Sequence, residues 1–370
     1  MWIPTIPDLK RTREESAEQM DRNKVLLGFS GGVDSTAAAV ILRAKGLEVT
    51  GLYFDVLEGG DPESREYAEK TAEKLGMELI AVNVSESFEK LVIQPFLSLY
   101  EAGRTPIPCV MCNPAVKFAV LKEYADKIGA YYIATGHYAR IQEDAGTFKV
   151  RKAVNLQKDQ SYMLCRLPQE ILSRLILPIG NFASKEEIRE ICRDMDLPNS
   201  GRKDSQDICF IKNMTTQEYL KSKGIQGTPG NFVKTDGSIV KAHEGTANYT
   251  IGQRKGLGVA LGAPAFVKSI DAKSGDIVLC TNEELFESSL TAEDCIWQWG
   301  KPETGKTYMC KPRYTAKEAA CKITALEGEE GHIAVIEFEE PQRAITPGQA
   351  AVLYDGEIVV GGGYIAYKAK

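Results

Sequence analysis

The chain has no apolar run approaching the ~18 residues that cross a bilayer, so no membrane contact is expected. Its first 23 residues mix both charges and lack the apolar centre of a secretion signal. They read as an N-terminal extension, and the protein is expected in the cytoplasm. A disulfide framework is missing too: nine cysteines, an odd number, are scattered through 370 residues. Thiols should therefore be reduced by default, and any special ones catalytic or metal-bound. Positive charge is not in excess, with a formal net charge of −6. That argues against indiscriminate nucleic-acid binding, whose usual footprint is a basic surface. The chain also shows no internal repeat and no low-complexity tract.

What is present divides into two patterns. Through the first half, short buried-type strands alternate with helices: a strand at 25–29, a helix at 36–45, a strand at 47–56, a helix at 63–75 and a strand at 77–84. Helices at 88–102 and 116–128 and a strand at 131–139 follow. Strands separated by helices of this length imply right-handed crossovers and a parallel α/β sheet covered on both faces. From about Gly224 helical periodicity disappears, and short apolar runs are separated by turn signals such as Asp236-Gly237, Ser274-Gly275 and Asp355-Gly356. The expected division is an extension at 1–23, an α/β catalytic domain at 24–220, a β-rich central domain at 221–285 and a C-terminal β-barrel at 286–370. Charge is uneven along this second half. Residues 283–294 carry only acidic charges, whereas 301–322 carry six Lys/Arg against Glu303 and Glu318. Such a basic run is either a solvated strand face or a phosphate-backbone contact.

GFSGGVDS, residues 28–35, follows the first strand and opens a helix. Adjacent glycines let a ligand approach the backbone, and successive N–H groups at a helix N-terminus make an anion site. The loop lacks the Gly-Lys-Ser/Thr ending of a Walker A motif and the GxGxxG spacing of a dinucleotide fingerprint. Ser30, Asp34, Ser35 and Thr36 instead crowd one turn with hydroxyls and a carboxylate, which suits a pyrophosphate with a metal counter-ion. SGGVDS after a first strand resembles the PP-loop of enzymes that split ATP between its α and β phosphates.

Further strings narrow the resemblance: AGRTPIPCVMCNPAVKF, YYIATGHYAR, KDQSYML, KDSQDICFI, YTIGQRKGLGV and TPGQAAVLYDGEIVVGGG, in this order. Together they resemble the tRNA-specific 2-thiouridylase (MnmA) family along nearly the whole chain. The resemblance implies a PP-loop domain, a small β central domain and a C-terminal barrel. It also implies ATP-dependent replacement of O2 of a wobble uridine in tRNA by sulfur, with AMP and pyrophosphate released. Gly28, Phe29, Ser30, Gly31, Gly32, Val33, Asp34 and Ser35 would hold the phosphates of ATP with Mg2+, and Phe54 and Gly136 would line the adenine pocket. Ile107, Pro108 and Cys109 match the segment beside the target base. His137, Lys158, Asp159, Gln160, Arg313, Tyr314 and Gln349 match tRNA-contacting positions. Cys112 matches the first active cysteine, and Cys209 the second, which carries a persulfide. The sulfur would come from a persulfide carrier protein or inorganic sulfide.

The remaining cysteines, 165, 192, 280, 295, 310 and 321, sit in apolar contexts and read as small hydrophobes. The family pattern usually has aspartate where this chain has Cys109, and an Asn-Trp pair common after the second strand is absent. With Cys209, the pair Cys109 and Cys112 makes a three-thiolate set. Three routes are open. Zinc normally wants a fourth ligand that the sequence does not supply. A [4Fe-4S] cluster with one iron free of protein thiolate suits three cysteines and is the expectation. A persulfide and disulfide mechanism with Cys109 as bystander is the third. The alternative functions are an iron–sulfur-dependent tRNA sulfurtransferase using inorganic sulfide or another nucleotide target, and a PP-loop ligase acting on a small molecule.

Overall fold

The computed structural model describes residues 20–194 and 208–367. Most of the extension expected at 1–23, and the first part of KDSQDICFI, lie outside the described residues.

The first half builds a five-stranded parallel sheet in the order β3-β2-β1-β4-β7. Its strands are β1 (Asp21–Gly28), β2 (Glu48–Asp55), β3 (Leu79–Asn83), β4 (Ala130–Thr135) and the short β7 (Leu175–Ile176). Val25, Leu26 and Leu27 of β1 are buried on both faces, as the continuous apolar run of a central parallel strand requires. Helix α1 (Val33–Ala44) lies against it through Ala37, Ala38, Ala39 and Leu42, all fully buried, and the small side chains let helix and sheet approach closely. Helix α2 (Pro62–Lys74) starts where Asp61 accepts a hydrogen bond from the Ser64 N–H. The strand order reverses between β1 and β4, and that crevice is where open α/β sheets bind ligands.

Two of the expected helices are interrupted by π-turns, Glu89–Ile93 and Asn113–Lys117. The second of these helices also begins earlier than its periodicity suggests. Pro108 occupies the first helical position of α3 (Pro108–Cys112), the π-turn follows, and α4 (Phe118–Lys127) completes it. The cysteine pair is therefore helical, one turn apart. The strand expected at 131–139 ends instead at Thr135. Gly136 to Tyr138 turn the chain, and Ala139 opens a new strand in a different sheet.

That new strand, β5 (Ala139–Asp144), forms a hairpin with β6 (Thr147–Lys152), turning through Ala145 and Gly146 at φ of 49° and 80°. The hairpin joins the C-terminal sheet. There β12 (Phe286–Trp297), β13 (Thr307–Lys311), β14 (Ala319–Glu327), β15 (Ile333–Arg343), β16 (Ala350–Asp355) and β17 (Ile358–Ile365) close into a barrel through the β12–β17 pairing. Strand β6 meets β17 at Arg151 and Ile358, and the Lys152 N–H donates to Glu357 O. Between these two bodies lies a four-stranded sheet in the order β10-β11-β8-β9, from β8 (Gly230–Lys234), β9 (Ile239–His243), β10 (Phe266–Ile270) and β11 (Ile277–Cys280). No helix of the described residues is long and apolar enough to cross a membrane.

An aromatic cluster anchors the segment that carries Cys209. Phe210 packs edge-on against Phe88, Phe96 and Tyr219, with centroids 5.7, 5.2 and 5.5 Å away. Phe210→Ala should cost about 3–5 kcal/mol, the range for emptying a buried phenyl site. Urea unfolding monitored by circular dichroism reads this; a loss below about 1 kcal/mol would show that the cluster collapses around the gap.

Candidate active site

The glycine loop lies at the C-terminal end of β1. Gly31 takes φ +71°, and a Cβ there would stand 2.9 Å from the Ala68 Cα of α2, so glycine is required twice over. The hydroxyls are turned into the loop itself. Ser35 Oγ donates to Gly32 O at 3.1 Å, Thr36 Oγ1 to Gly31 O at 3.1 Å, and the Ser30 N–H donates to Ser35 Oγ at 3.3 Å. No side chain caps α1, which leaves the amides of its first turn to an anionic ligand. Phe29 and Val33 are buried and hold the loop down rather than facing a ligand with their side chains.

Asp34 is engaged from two sides. Its Oδ1 accepts from Tyr138 Oη at 2.8 Å and from the Lys185 ammonium at 2.6 Å. Lys185 opens helix α5 (Lys185–Asp194) and lines a cleft of about 550 Å³ together with residues 154–158, Ala183 and Ser184. One partly neutralised carboxylate does not make a cation site by itself. Neither Lys185 nor Tyr138 carries a local signal for this role, because both reach the loop from more than 100 residues away.

Gly136 ties this loop to the rest of the site. A Cβ on it would lie 2.8 Å from the Asp34 carbonyl carbon and 2.9 Å from the Ser35 nitrogen, so only glycine lets β4 end against the start of α1. Phe54, at the end of β2, is half-buried and in ordinary contact distance of Gly28. His137 stacks on Phe118 at 5.9 Å, and its Nδ1 shares a 2.6 Å hydrogen bond with Thr135 Oγ1. Burial, then the charge of Lys117, holds its pKa well below the ordinary histidine value, so the ring is neutral.

The cysteines converge beyond His137. Cys109 and Cys209 are exposed, and Cys112 is half-buried on α3. Desolvation, followed by the nearby Cys112 and Cys109, pushes the Cys209 thiol up to about 11. Desolvation also pushes Cys112 up, partly offset by the Lys117 charge and by the Lys117 backbone N–H. Cys109 and Cys112 thus both act on the Cys209 thiol. Among the described residues, however, no three metal-ligating side chains are arranged to hold an ion. The donor set as placed does not fit a closed metal centre.

The segment preceding the cysteines is held by the other two domains. The Thr105 N–H donates to Pro347 O at 2.9 Å, Thr105 Oγ1 donates to Thr250 Oγ1 at 3.3 Å, and Gln349 Nε2 donates to Thr105 O at 2.9 Å. Gln349 therefore positions Ile107 and Pro108 by fixing the chain just before them. Buried Asn113 donates to Met163 O at 2.8 Å and secures the far end.

Several residues expected at a nucleic-acid surface have internal partners. Asp159 is buried and accepts from the Ala153 N–H at 2.8 Å and Ser161 Oγ at 2.6 Å. Gln160 Oε1 accepts from the Tyr138 N–H at 2.9 Å, and Tyr314 Oη donates to Asp159 O at 3.1 Å. Arg313 spans two domains, donating through Nη2 to Ile251 O and Thr346 Oγ1. Within the basic run, Lys306 pairs with Asp355 and Glu318 with Lys152, while Lys301, Lys317 and Lys322 are exposed. Lys158 lines the cleft beside Lys185.

A parallel sheet with an uncapped glycine loop at its switch point defines a nucleotide-binding domain of the HUP class. The family described as tRNA methyl transferase HUP domain matches residues 23–213, the tRNA methyl transferase PRC-barrel domain 217–281 and the aminomethyltransferase beta-barrel domain 287–365. Similar over nearly their whole length are the tRNA-specific 2-thiouridylase MnmA of Acetivibrio thermocellus, 42% identical across 94% of this chain and 100% of that one, and MnmA 2 of Caldanaerobacter subterraneus subsp. tengcongensis, 38% identical across 94% and 99%. MnmA of Lachnoclostridium phytofermentans is 39% identical across 92% and 99%. The chain belongs to the tRNA-specific 2-thiouridylase MnmA family.

Because Gly136 sets the first turn of α1, Gly136→Ala should lower AMP formation about 10²-fold, as displacements near 1 Å do at reacting centres. Its far-UV circular dichroism should match the parent. An alanine variant that forms AMP at the parental rate would show that this contact does not set the loop.

Proposed function

We propose that this protein replaces O2 of the wobble uridine in tRNA by sulfur, using ATP. The observation that carries the reading is that one domain holds both an uncapped glycine loop and two thiols, Cys112 and Cys209, close enough to act on one another. A ligase acting on a small molecule would use the loop but gives the thiol pair no task.

The chemistry follows from what the loop and the thiols offer. Uridine C2 is a poor electrophile with a poor leaving oxygen. O2 attacks the α-phosphorus of ATP, the bond to the β-phosphate breaks, and uridine gives up its N3 proton. Pyrophosphate departs onto the amides of α1 and toward Lys185, where positive potential favours it. The target base must leave its stack to be reached, and Ile107, Pro108 and Cys109 frame the place for it. The outer sulfur of a Cys209 persulfide then attacks C2; the C–S bond forms, and O2 leaves with AMP. The Cys112 thiolate attacks Cys209 Sγ, breaking the S–S bond. The base keeps the sulfur and regains a proton at N3. Two cysteine thiols have supplied two electrons and end as a Cys112–Cys209 disulfide. A dithiol reductant and a persulfide donor restore the enzyme; inorganic sulfide attacking C2 directly would bypass both.

A second reading places a [4Fe-4S] cluster on Cys109, Cys112 and Cys209. It is favoured by the mutual influence of the three thiols, one more than the persulfide route needs. No step above passes through a cluster. Anaerobic purification followed by iron and acid-labile sulfide analysis separates the two readings. About four irons per chain, lost in Cys109→Ala, would establish the cluster. Iron-free protein that thiolates tRNA normally, also as Cys109→Ala, would establish the persulfide route.

Asp34→Ala should reduce AMP formation by about 10²-fold, as loss of one preorganised charged group does. tRNA affinity should stay within about twofold, since the thiols and the base-framing segment are untouched. Retained AMP formation in this variant would overturn the assignment of the loop.

A further inference from the structure

Where the central sheet meets the C-terminal barrel, the loop 250–255 runs past the end of β15. Gly252 takes φ +83°, and its N–H donates to Val267 O at 2.8 Å, which fixes the loop to β10. Two barrel arginines flank this glycine. A Cβ at Gly252 would stand 2.8 Å from the Ala344 Cβ, 3.5 Å from Arg343 Nη1 and 4.0 Å from Arg313 Nη2. Neutral groups alone hold both side chains. Arg313 donates through Nη2 to Ile251 O and Thr346 Oγ1, and its buried Nε has no partner among the described residues. Arg343 donates through Nε to Asn282 Oδ1 at 2.9 Å and lies 5.1 Å from the Phe266 ring centroid. Among the described residues no carboxylate forms an ion pair with either arginine, nor with the exposed Arg254 and Lys255 of the same loop. Burial, then the Arg343 charge, draws the Arg313 guanidinium below the ordinary arginine value. Two like charges beside one glycine, one of them half-buried, repel each other unless an anion joins them.

The place of the pair names the anion. Thr250, two residues before Gly252, meets the Thr105 hydroxyl, and Thr346, the partner of Arg313, opens the segment that holds Thr105 through Pro347 and Gln349. The arginines therefore border the segment that frames the target base, and Arg343 is exposed to an incoming strand. A planar guanidinium fork matches phosphate oxygens. We propose that Arg313 and Arg343, set side by side across Gly252, clamp one backbone phosphate of the tRNA strand that delivers the target uridine. This rests on the tRNA thiolation reading above and brings into it Arg343, which none of the roles so far uses. A phosphate contact carries no sequence information; it fixes the register of the strand. The base can then leave its stack while its backbone stays on the arginines.

The test measures binding of an unmodified tRNA transcript to the full-length protein by fluorescence anisotropy across a range of salt concentrations. It compares the parent with Arg313→Gln, Arg343→Gln and the double variant, and follows thiolation separately. Each single variant should bind at least about tenfold more weakly, the loss of one charge-assisted hydrogen bond. In the double variant the slope of log K against log salt should fall by roughly 0.7–0.9, the share of one phosphate. Its affinity loss should be smaller than the product of the two single losses, because both arginines hold one group. Arg343→Lys should keep the parental slope and recover only part of the affinity, since a point charge cannot form the fork. A parental slope in the double variant overturns the proposal; weaker binding with that slope would mean that Arg343 only anchors β15 to Asn282 and Phe266. A slope lowered by roughly 1.4–1.8 overturns it too, by showing two separate phosphates. Should the Arg343→Gln chains not fold, the same slopes are read with Arg343→Met. A parent that binds tRNA but forms no thiouridine removes the thiolation reading, while the slopes still decide the clamp. A parent that does not bind tRNA overturns both.

Discussion

The site depends on the clamping of residues 105–113 between three domains. Nothing within the α/β domain alone would fix Thr105 and Pro106, because their backbone partners come from Pro347 and Gln349, and the Thr105 hydroxyl meets Thr250. Gly348, at φ +91°, passes so near that a Cβ there would stand 3.0 Å from Thr105 O. The backbone groups that place Ile107, Pro108 and Cys109 are thus satisfied by the C-terminal barrel. The barrel and the central sheet then act less as separate binding modules than as the outer wall of the catalytic cleft. The residues that bridge them, Arg313 to Ile251 and Thr346, work to the same end.

Chemistry is divided along a short line of groups. At one end the glycine loop offers open amides and the Asp34–Lys185 pair, suited to a leaving pyrophosphate. At the other end desolvation pushes the Cys112 and Cys209 thiols up, which keeps them protonated until a lower-pKa sulfur species forms. Gly136 and His137 join the ends. Because Gly136 touches the α1 backbone directly, the position of the phosphate loop against the end of β4 is set by main chain rather than by side-chain rotamers. That suits a reaction in which one activated oxygen must stay in place while a second group arrives.

Much of the fold was legible because periodicity and punctuation agree with it. The buried run of β1, the Ala-rich face of α1 and the Gly76 stop after α2 all carry local signals, and the turn dipeptides mark the β-rich half. Other features had none. The end of β4 at Thr135 is dictated by the contact of Gly136 with Asp34, two segments about 100 residues apart. The early start of the cysteine helix depends on Pro108 at its first position and on clamps from residues 347–349. Of the candidate residues, the loop and the cysteines could be picked out because their types are chemically distinctive. Asp159, Gln160 and Arg313 look like surface contacts in a string of letters, yet each has partners inside the protein. Lys185 was invisible, being an ordinary lysine whose meaning comes only from the Asp34 carboxylate that the fold sets beside it.

The β5–β6 hairpin has a consequence for how the molecule is made. Its residues emerge from synthesis well ahead of β17, the strand that covers its edge. Until then β6 presents an unpaired edge, with Arg151 and Lys152 along it and their partner Glu357 not yet synthesised. Basic side chains on an open strand discourage pairing with the wrong chain. The first domain therefore carries its own protection during the interval on the ribosome, and once the barrel closes the Arg151 charge bridges to Glu357 and that of Lys152 to Glu318.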